Sequence, residues 1–309
     1  MQATVYIPNF NGSEHLGRVL RSLGGQTRPA NVVVVDNGSR DGSVELIRAD
    51  HPQVTLLELG ENLGFGPALN RAVAAHPDEN MILLNSDVEC EPRFVEALLA
   101  ELGEGVDSVA GVLVSERDPP LIDSAGVVAD RTLMGFDYLN GEPLTAALGA
   151  PAPLGPTGGA ALYRRTAFDA VGGFDERIFL YYEDLDLALR MATGGARCRL
   201  AGEARALHAY SAGLGAGSGD KYAFTGWSRG YMLRRYGVMS QPGTGLRALA
   251  CEAAICAAQL LGDHTAKGIG GRLRGWRDGG GLERRETGAA PLLEISTRQA
   301  LALRHRRRG

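Results

Sequence analysis

The sequence predicts an α/β fold in which a Rossmann-like, mostly parallel central sheet is flanked by helices and followed by a helical C-terminal extension. Three observations predict it. Short apolar runs alternate with amphipathic stretches through residues 3–115, polar residues follow the apolar runs, and residues after 220 show only helical patterns. Strand–helix alternation favours a parallel sheet with right-handed crossovers. Ligands bind such sheets beyond the carboxyl ends of the strands.

The first half of the chain alternates strands and helices in order. The first strand, "ATVYIP", precedes an amphipathic helix that ends at the pair Gly24-Gly25. The next elements are the strand "NVVVVD", a helix at 41–49, the strand "VTLLEL", the helix "GPALNRAVAAH", the strand "MILLNSD", a helix at 93–102 and the strand "VDSVAGVLV". Four of these strands are each followed by a polar segment. In a parallel sheet these segments would lie at the same edge, and their convergence predicts a binding site.

The second half is less regular. Residues 118–156 are rich in Pro, Gly and Ala and predict loops with a short hairpin. They are followed by the strand "TGGAALYR", a helix at 165–171, the helix "EDLDLALRMATGG", a strand–turn–strand in "CRLAGEARALHAYS", and helices at 222–236 and 246–261. The final "RHRRRG" is expected to be disordered.

Length and charge suggest two parts. The 309 residues are 44% hydrophobic and 22% charged, as in ordinary globular proteins. Residues 1–220 are expected to form one α/β domain, and residues 221–309 a basic helical extension. Residues 229–309 contain 15 Lys and Arg against 6 Asp and Glu, a balance of +9. Such a segment could contact an anionic membrane, bind a phosphate-bearing substrate or remain a solvated tail.

The expected location is the cytoplasm. Four cysteines are present, with neither C-x-x-C pairs nor metal-ligand spacing, which indicates a reducing compartment. The N-terminus "MQATVYIPNFNG" lacks the pattern of a signal peptide, and no uninterrupted apolar run is long enough to predict a membrane-spanning helix.

The segment "VVVVDNGSRDGS" places Asp36 at a strand end and Asp41 at the start of a helix. Turn formation and helix capping account for Ser39 and Asp41. They do not account for Asp36, whose carboxylate could accept a hydrogen bond from the imide N–H of uracil or thymine. The segment "ENLGFGPALNRA" follows the third strand, so its glycines do not form a dinucleotide fingerprint, but they permit a ligand to approach the backbone.

Acidic residues follow the fourth strand in "MILLNSDVECE". Asp87, with Glu89, could hold Mg²⁺ or Mn²⁺ through hard oxygen ligands, and the cation would hold a diphosphate. The alternative is a helix cap before Pro92.

A second acidic segment, "GGFDERIFLYYEDLDLALR", contains Glu183 and Asp184 at the start of a helix. The helix dipole favours carboxylates there, and the alternative is a general base in a polar pocket. Asp186 and Arg190 are expected to pair on the helix surface. His208 could be a metal ligand or a core histidine.

Taken together, five motifs resemble the rhamnosyltransferase-like branch of the family 2 inverting glycosyltransferases, which have the GT-A fold. They are "VDNGSRDGS", "ENLGFGPALN", "LLNSD", "TGGAALYRR" and "GGFDERIFLYYEDLDLALR", in this order, and the resemblance covers about residues 3–236. The Gln-x-x-Arg-Trp motif of processive synthases is absent from the sequence, which favours the addition of one sugar.

The resemblance implies residue roles. Asp184, assisted by Glu183, would be the catalytic base. Asp87, Glu89 and His208 would hold Mg²⁺ or Mn²⁺, although Asn85 stands where the family usually has the first carboxylate of an Asp-x-Asp motif. The nucleotide-sugar would contact Pro8, Asn9, Asn11, Asp36, Asn62, Gly64, Asn70, Asn85, Ser86 and Arg229. The acceptor would contact Gly158, Gly159 and Asp175.

The resemblance also implies substrates and partners. L-Rhamnose from dTDP-rhamnose is the first choice of donor, and UDP-linked galactofuranose, glucose or N-acetylglucosamine remain open. The expected acceptor is a lipid-linked saccharide of a cell-wall or surface polysaccharide, met at the inner face of the membrane by peripheral contact. A homodimer is expected, and nucleic acid is not. A non-catalytic nucleotide-sugar-binding scaffold is the alternative; a sugar-nucleotidyltransferase is disfavoured because "IPNFNGSEH" lacks the basic loop it would need.

Overall fold

The computed structural model describes residues 3–76, 79–209, 218–288 and 290–305. Its strands are β1 (Thr4–Asn9), β2 (Asn31–Asp36), β3 (Thr55–Glu58), β4 (Asn80–Leu84), β5 (Val88–Cys90), β6 (Ser108–Ser115), β7 (Ile122–Ser124), β8 (Val127–Ala129), β9 (Gly135–Asp137), β10 (Ala160–Arg164) and β11 (Cys198–His208). Its α-helices are α1 (Ser13–Gly24), α2 (Ser43–Asp50), α3 (Phe65–Ala75), α4 (Phe94–Glu101), α5 (Arg165–Ala170), α6 (Glu183–Thr193), α7 (Gly219–Arg235), α8 (Pro242–Gly262), α9 (Lys267–Asp278) and α10 (Thr297–His305).

The central sheet has the order β3-β2-β1-β4-β10-β6-β11-β5, and β7 pairs with β6. Strands β3, β2, β1 and β4 are parallel, so the expected architecture is confirmed for this half. Strand β10 then enters antiparallel between β4 and β6, and β11 runs parallel to β6. The parallel strands end at one edge, where the polar segments begin.

Both faces of the sheet are covered by helices. Buried side chains of α1, α2 and α4 pack against one face, and those of α3, α5 and α6 against the other. The continuous apolar run of β2 is typical of a parallel strand that is buried on both sides. The expected short hairpin within residues 118–156 is β8–β9.

Two details of the predicted elements were wrong. The expected strand–turn–strand is one long strand, β11, with a register shift between Leu200 and Arg205. Arg304 and His305 belong to α10 and not to a disordered end, while residues 306–309 lie outside the described ranges.

The C-terminal helices pack onto the body of the protein. Helices α7 and α9 approach closely because both carry glycines at their contact: a Cβ on Gly271 would lie 2.3 Å from the Ala223 carbonyl oxygen. Tyr231, Met232 and Leu233 of α7 share an apolar core with Leu185 and Leu189 of α6.

Helix α8 differs from its neighbours in hydropathy. Within the described ranges it is the one helix that is long and apolar enough to cross a membrane, judged by length and composition only. It is also mostly uncovered, since 28% of its most apolar window is buried.

Candidate active site

The first part of the site lies where β1 and β2 end. Asn9 and Asp36 are register partners on these neighbouring strands. The Asp36 carboxylate accepts the backbone N–H of Ser39 at 2.9 Å, and the Asn9 amide donates to the Ser39 hydroxyl at 3.1 Å. These bonds fix the turn after β2. The Asn9 Oδ1 atom is buried without a hydrogen-bond partner among the described residues, and it points toward Gly12.

The glycine-bearing loop before α3 closes one side of this edge. Gly64 donates its N–H to Asn62 Oδ1, and its carbonyl accepts from the Asn37 amide. Its φ of +95° is a conformation that glycine adopts at no steric cost. A Cβ at Gly64 would lie 2.4 Å from the carbonyl oxygen of Phe179, so this loop touches the segment that leads to α6.

The acidic residue after β4 lies beside a histidine and a second carboxylate. Nε2 of His208 is 3.6 Å from Asp87 Oδ2, and its Nδ1 is 2.7 Å from Asp123 Oδ2. Burial opposes the imidazolium, but hydrogen bonds and charge from the two carboxylates raise the pKa of His208 to about 10. The other Asp87 oxygen, Oδ1, is buried without a hydrogen-bond partner. Such an oxygen beside an imidazole suits a divalent cation, although within the described ranges no cluster of three ligands has assembled.

The acidic pair at the start of α6 lies against the glycine segment before β10. Asp184 Oδ2 is 3.4 Å from the Gly158 backbone N–H and 3.5 Å from the Thr157 hydroxyl. The glycines are needed for close contact: a Cβ on Gly158 would meet the Phe65 ring, and a Cβ on Gly159 would meet the Asn85 amide. The structure therefore places Asp184 near the residues that follow β4.

The two carboxylates of this pair differ in their surroundings. Burial, and then the charge of Asp184, raise the pKa of Glu183 well above its usual range, and its Oε2 lacks a hydrogen-bond partner. Burial also raises the pKa of Asp184, but hydrogen bonds from Leu185, Gly158 and Thr157 oppose the rise. Because Asp184 has donors from three other residues and Glu183 has only a backbone N–H of its own, the proton that the pair retains belongs on Glu183.

The backbone before this pair is strained. Tyr181 and Tyr182 have φ values of +67° and +73°, in the left-handed region that bulky residues seldom adopt. Each such residue costs about 1–3 kcal/mol and persists only when its surroundings enforce it. The strained turn directs the first carboxylates of α6 toward Gly158.

A buried ionic network holds α6 in place. Asp186, which is fully buried, contacts Arg190, Arg285 and the Tyr236 hydroxyl. The expected Asp186–Arg190 pair is present at 2.8 Å, but it is part of the core and not of the helix surface. The network is completed by Tyr236, directly after α7, and by Arg285, in the segment after α9, which the sequence patterns did not connect to α6.

Three of the predicted binding residues have other partners. Arg229 is 2% exposed, and its guanidinium donates to Glu252 and to the carbonyls of Leu133 and Thr132. All three nitrogens are engaged inside the protein, which contradicts the predicted contact with phosphate.

Asp175 and Asn70 also have partners within the protein. The Asp175 carboxylate accepts from Tyr231 and pairs with Arg285, which contradicts the predicted contact with an acceptor. Asn70 exchanges two hydrogen bonds with the Phe174 backbone and so holds α3 against the following loop.

The remaining predicted residues lie near the strand ends. Glu89 accepts a hydrogen bond from Arg18 at 2.8 Å. It lies on the opposite side of β5 from the buried residues Val88 and Cys90. Both observations weaken the prediction that Glu89 is a metal ligand. Ser86 lies beside Gly12, and exposed Asn11, with a φ of +52°, binds the turn of Ser39 and Arg40. Pro8 is a partly exposed residue of β1.

Sequence reasoning missed three residues of this site. Asn37 supports Gly64, Thr157 faces Asp184, and Asp123 orients His208. Asn37 follows Asp36 directly and could have been found from the motif. Asp123 lies in the irregular segment and Thr157 directly follows it, and no periodic pattern singles out either residue.

Residues 4–172 match the family model described as Glycosyl transferase family 2. The chain belongs to this glycosyltransferase family. A curated relative, N-acetylglucosaminyl-diphospho-decaprenol L-rhamnosyltransferase of Mycobacterium tuberculosis, is 35% identical over 211 residues, which cover 60% of this chain and 69% of the relative. Succinoglycan biosynthesis protein ExoA of Rhizobium meliloti is 32% identical over 207 residues, covering 62% of this chain and 58% of that protein. The predicted family and its rhamnosyltransferase-like branch are therefore confirmed.

Solved structures confirm the GT-A fold. Mannosyltransferase PcManGT from Pyrobaculum calidifontis, in complex with GDP-Man and Mn²⁺, aligns with a TM-score of 0.55 at 20% identity, over 90% of this chain and 86% of that one. Staphylococcus aureus TarS 1-349, in complex with UDP-GlcNAc, aligns with a TM-score of 0.52 at 16% identity, over 90% and 91% of the two chains. At these identities the likeness concerns the fold alone.

Proposed function

We propose that this glycosyltransferase moves L-rhamnose from dTDP-rhamnose to a hydroxyl of a lipid-linked saccharide, with inversion at the anomeric carbon. The observation that carries the chemistry is the Glu183–Asp184 pair beside the Gly158 N–H, where Asp184 accepts hydrogen bonds and burial raises the pKa of Glu183. The choice of sugar and acceptor is supported by the 35% identical rhamnosyltransferase.

In this proposal the nucleotide lies across the ends of β1 and β2. Asp36 would accept the imide N–H of thymine, and the Asn9 amide would contact the nucleotide through its unpartnered oxygen. Gly64, held by Asn37 and Asn62, would let the donor pass close to the backbone.

Asp87 and His208 would hold the divalent cation. The residues fit such an ion because Asp87 has an unpartnered oxygen and Asp123 orients the imidazole ring. When bound, Mg²⁺ or Mn²⁺ would offset the charge that develops on the departing nucleoside diphosphate. Cation binding at Asp87 would also favour the neutral form of His208, whose pKa is raised only while the two carboxylates are its main partners.

Asp184 would carry out the proton transfer. Its Oδ2 accepts the acceptor hydroxyl proton while the hydroxyl oxygen bonds to the anomeric carbon and the bond from that carbon to the diphosphate oxygen breaks. Attack opposite the leaving group inverts the anomeric configuration, by analogy with inverting glycosidases. Glu183, held protonated by burial, adds no second charge beside the base. Contact between the acceptor and Gly158 or Gly159 stays a prediction, because the space that a Cβ would fill there is taken by the Phe65 ring and the Asn85 amide.

We also propose a division of the chain and a location. Residues 1–220 would form the catalytic unit and residues 221–309 a helical extension that braces α6, as the core shared by α6 and α7 supports. A lipid-linked acceptor would place the protein at the inner face of the membrane. Homodimer formation stays a prediction.

A thermal-shift panel of UDP-, dTDP- and GDP-sugars with and without Mg²⁺ or Mn²⁺ tests the donor site. We expect metal-dependent stabilisation by dTDP-rhamnose that Asp87→Asn abolishes and Asp50→Asn, at the exposed end of α2, retains. Stabilisation by a UDP-sugar and not by dTDP-rhamnose would assign that UDP-sugar as the donor. Absence of stabilisation by every nucleotide would refute the roles of Asp36 and Asp87.

The panel is followed by a transfer assay with a lipid-diphosphate-linked N-acetylglucosamine acceptor. Transfer by wild type that is lost in Asp184→Asn supports the proposed reaction. Donor binding without any transfer would favour the non-catalytic scaffold, because that alternative needs the nucleotide site but not the base.

A further inference from the structure

Helix α8 presents an uncovered apolar face. Four leucines lie on it with exposed fractions from 48% to 76%: Leu246, Leu249, Leu260 and Leu261. The exposed alanines 250, 253, 254 and 257 complete the face. At roughly 100° per residue these eight positions fall within an arc of about 140° that contains no charged residue. The helix has 21 residues and is therefore about 31 Å long, and exposed apolar surfaces of this extent mark interaction sites.

The two charged residues of α8 lie outside this arc and fasten the helix to the protein. Arg247 pairs with fully buried Asp130, and Glu252 pairs with Arg229 and Arg272. If α8 crossed a bilayer, these partners would be left unpaired inside the protein. The helix is therefore suited to lie on a membrane and not to span it.

The helices that pack on α8 carry exposed basic residues. Helix α9, which follows after a short turn, exposes Leu273 together with Arg274 and Arg277. Helix α10 packs on α8 through Ala300, against Cys251 and Ile255, and exposes Arg298. Cations beside an exposed apolar helix face complement anionic lipid headgroups. The same cations would repel one another if two copies of the chain met through this face.

We propose that the exposed face of α8 is the surface through which this protein lies on an anionic lipid bilayer. The proposal deepens the proposed function, on which it rests for the idea that the acceptor is lipid-linked. The β8–β9 hairpin connects α8 with the Glu183–Asp184 pair. Its residues Val128 and Phe136 pack on the inner side of α8. Gly135, which precedes Phe136, contacts Leu185, the residue after Asp184. A bilayer at α8 would thus lie next to the structural unit that borders the catalytic pair.

The test is flotation of the full chain with vesicles of phosphatidylglycerol and phosphatidylcholine, compared with vesicles of phosphatidylcholine alone. We expect wild type to float with the anionic vesicles and to be released by salt. The double variant Leu249→Glu/Leu260→Glu should bind at least about tenfold more weakly, because two exposed apolar contacts are replaced by charges that anionic lipid repels. Leu148→Glu is the matched control, since Leu148 and Leu260 are both 48% exposed.

Each outcome decides the proposal. Equal flotation of wild type and double variant, or no flotation of wild type, overturns it. A wild-type dimer that the double variant converts to monomers, without vesicle binding, assigns the face to a second copy and also overturns it. Far-ultraviolet circular dichroism and a thermal melt check that the variants fold.

Stabilisation by donor separates this proposal from the proposed function. Vesicle binding without stabilisation by any nucleotide-sugar would leave the lipid surface standing and remove the transferase site. Stabilisation by donor without vesicle binding would support the transferase site and overturn the lipid surface.

Discussion

Replacing Glu252 by Ala should destabilise the protein strongly, because Glu252 neutralises the buried guanidinium of Arg229 and the largely buried guanidinium of Arg272. Its carboxylate lies 2.6 Å from Arg229 Nε and 2.6 Å from Arg272 Nε, and Arg229 is 2% exposed. Removing one partner of a buried pair typically costs about 3–5 kcal/mol, since the remaining charge has lost its compensation. We therefore expect the free energy of unfolding to fall by about that amount.

The pKa of Glu252 gives a second route to the same magnitude. Burial opposes ionisation, but Arg229 and Arg272 lower the pKa from 4.5 to about 2. A lowered acid pKa contributes stability that is present above the unfolded-state pKa and is lost as the pH falls toward the folded-state value. At about 1.4 kcal/mol per pKa unit, this contribution is about 3 kcal/mol at neutral pH. It should disappear between about pH 4.5 and pH 2.

The assay is denaturant unfolding of wild type, Glu252→Ala and a surface control at pH 7 and at about pH 3, where the difference between wild type and Glu252→Ala should be smaller. Glu58→Ala is the control because the Arg48–Glu58 pair is about half exposed, and such pairs contribute about 0–1 kcal/mol. A loss in Glu252→Ala no greater than in the control would refute the reasoning.

Arg229→Met tests the correction to the predicted phosphate contact. We expect lower stability, since the carbonyls of Thr132 and Leu133 lose their donors, with an unchanged KM for the donor in the protein that remains folded. A raised KM with unchanged stability would restore the phosphate-binding role.

Three further predictions concern the site. Asp184→Asn should lower kcat by about 10²–10⁴-fold with little change in donor affinity, whereas Glu183→Gln should retain more activity; similar kcat values for the two variants in a transfer assay would contradict the assignment of the base. Burial raises the pKa of Glu183, so wild-type stability should fall as the pH rises from about 4.5 toward the raised pKa, and unfolding curves of Glu183→Gln should lack this fall. Gly64→Ala should cost about 1–3 kcal/mol more than Gly42→Ala, because both glycines have positive φ but only a Cβ at Gly64 meets the Phe179 backbone; equal melting temperatures would argue against that contact.

The donor half of the molecule is largely predictable from the sequence. In β1, β2 and β4 the apolar runs, their polar ends and the helices between them are all local features, and parallel pairing brings Asn9 and Asp36 together. The insertion of β10 between β4 and β6 has no such local signal, because it depends on pairing between strands far apart in sequence.

Burial explains the wrong residue roles. Sequence spacing indicates that Asp186 and Arg190 can pair, and the residue types show that Asp175 and Arg229 are charged. It does not indicate whether a charge faces a ligand or a distant ionic partner. The partner of Asp175 is Arg285, and the partner of Arg229 is Glu252. Both partners lie in the C-terminal third of the sequence. Asp186 and Arg285 pair although they are 99 positions apart in the sequence, and no periodic pattern can reveal such a contact.

The position of the proposed catalytic pair depends on this C-terminal third. The family match ends at residue 172, before Glu183 and Asp184, and the network that holds their helix uses Tyr236, directly after α7, and Arg285 beyond α9. The proposed donor site can thus be built from local β-α units, whereas the proposed base is positioned by long-range ionic contacts. If α8 rests on lipid, the same C-terminal third that positions the base also sets its distance from the bilayer. The packing of α7 and α8 on the β8–β9 region would then decide which hydroxyl of a lipid-linked saccharide reaches Asp184.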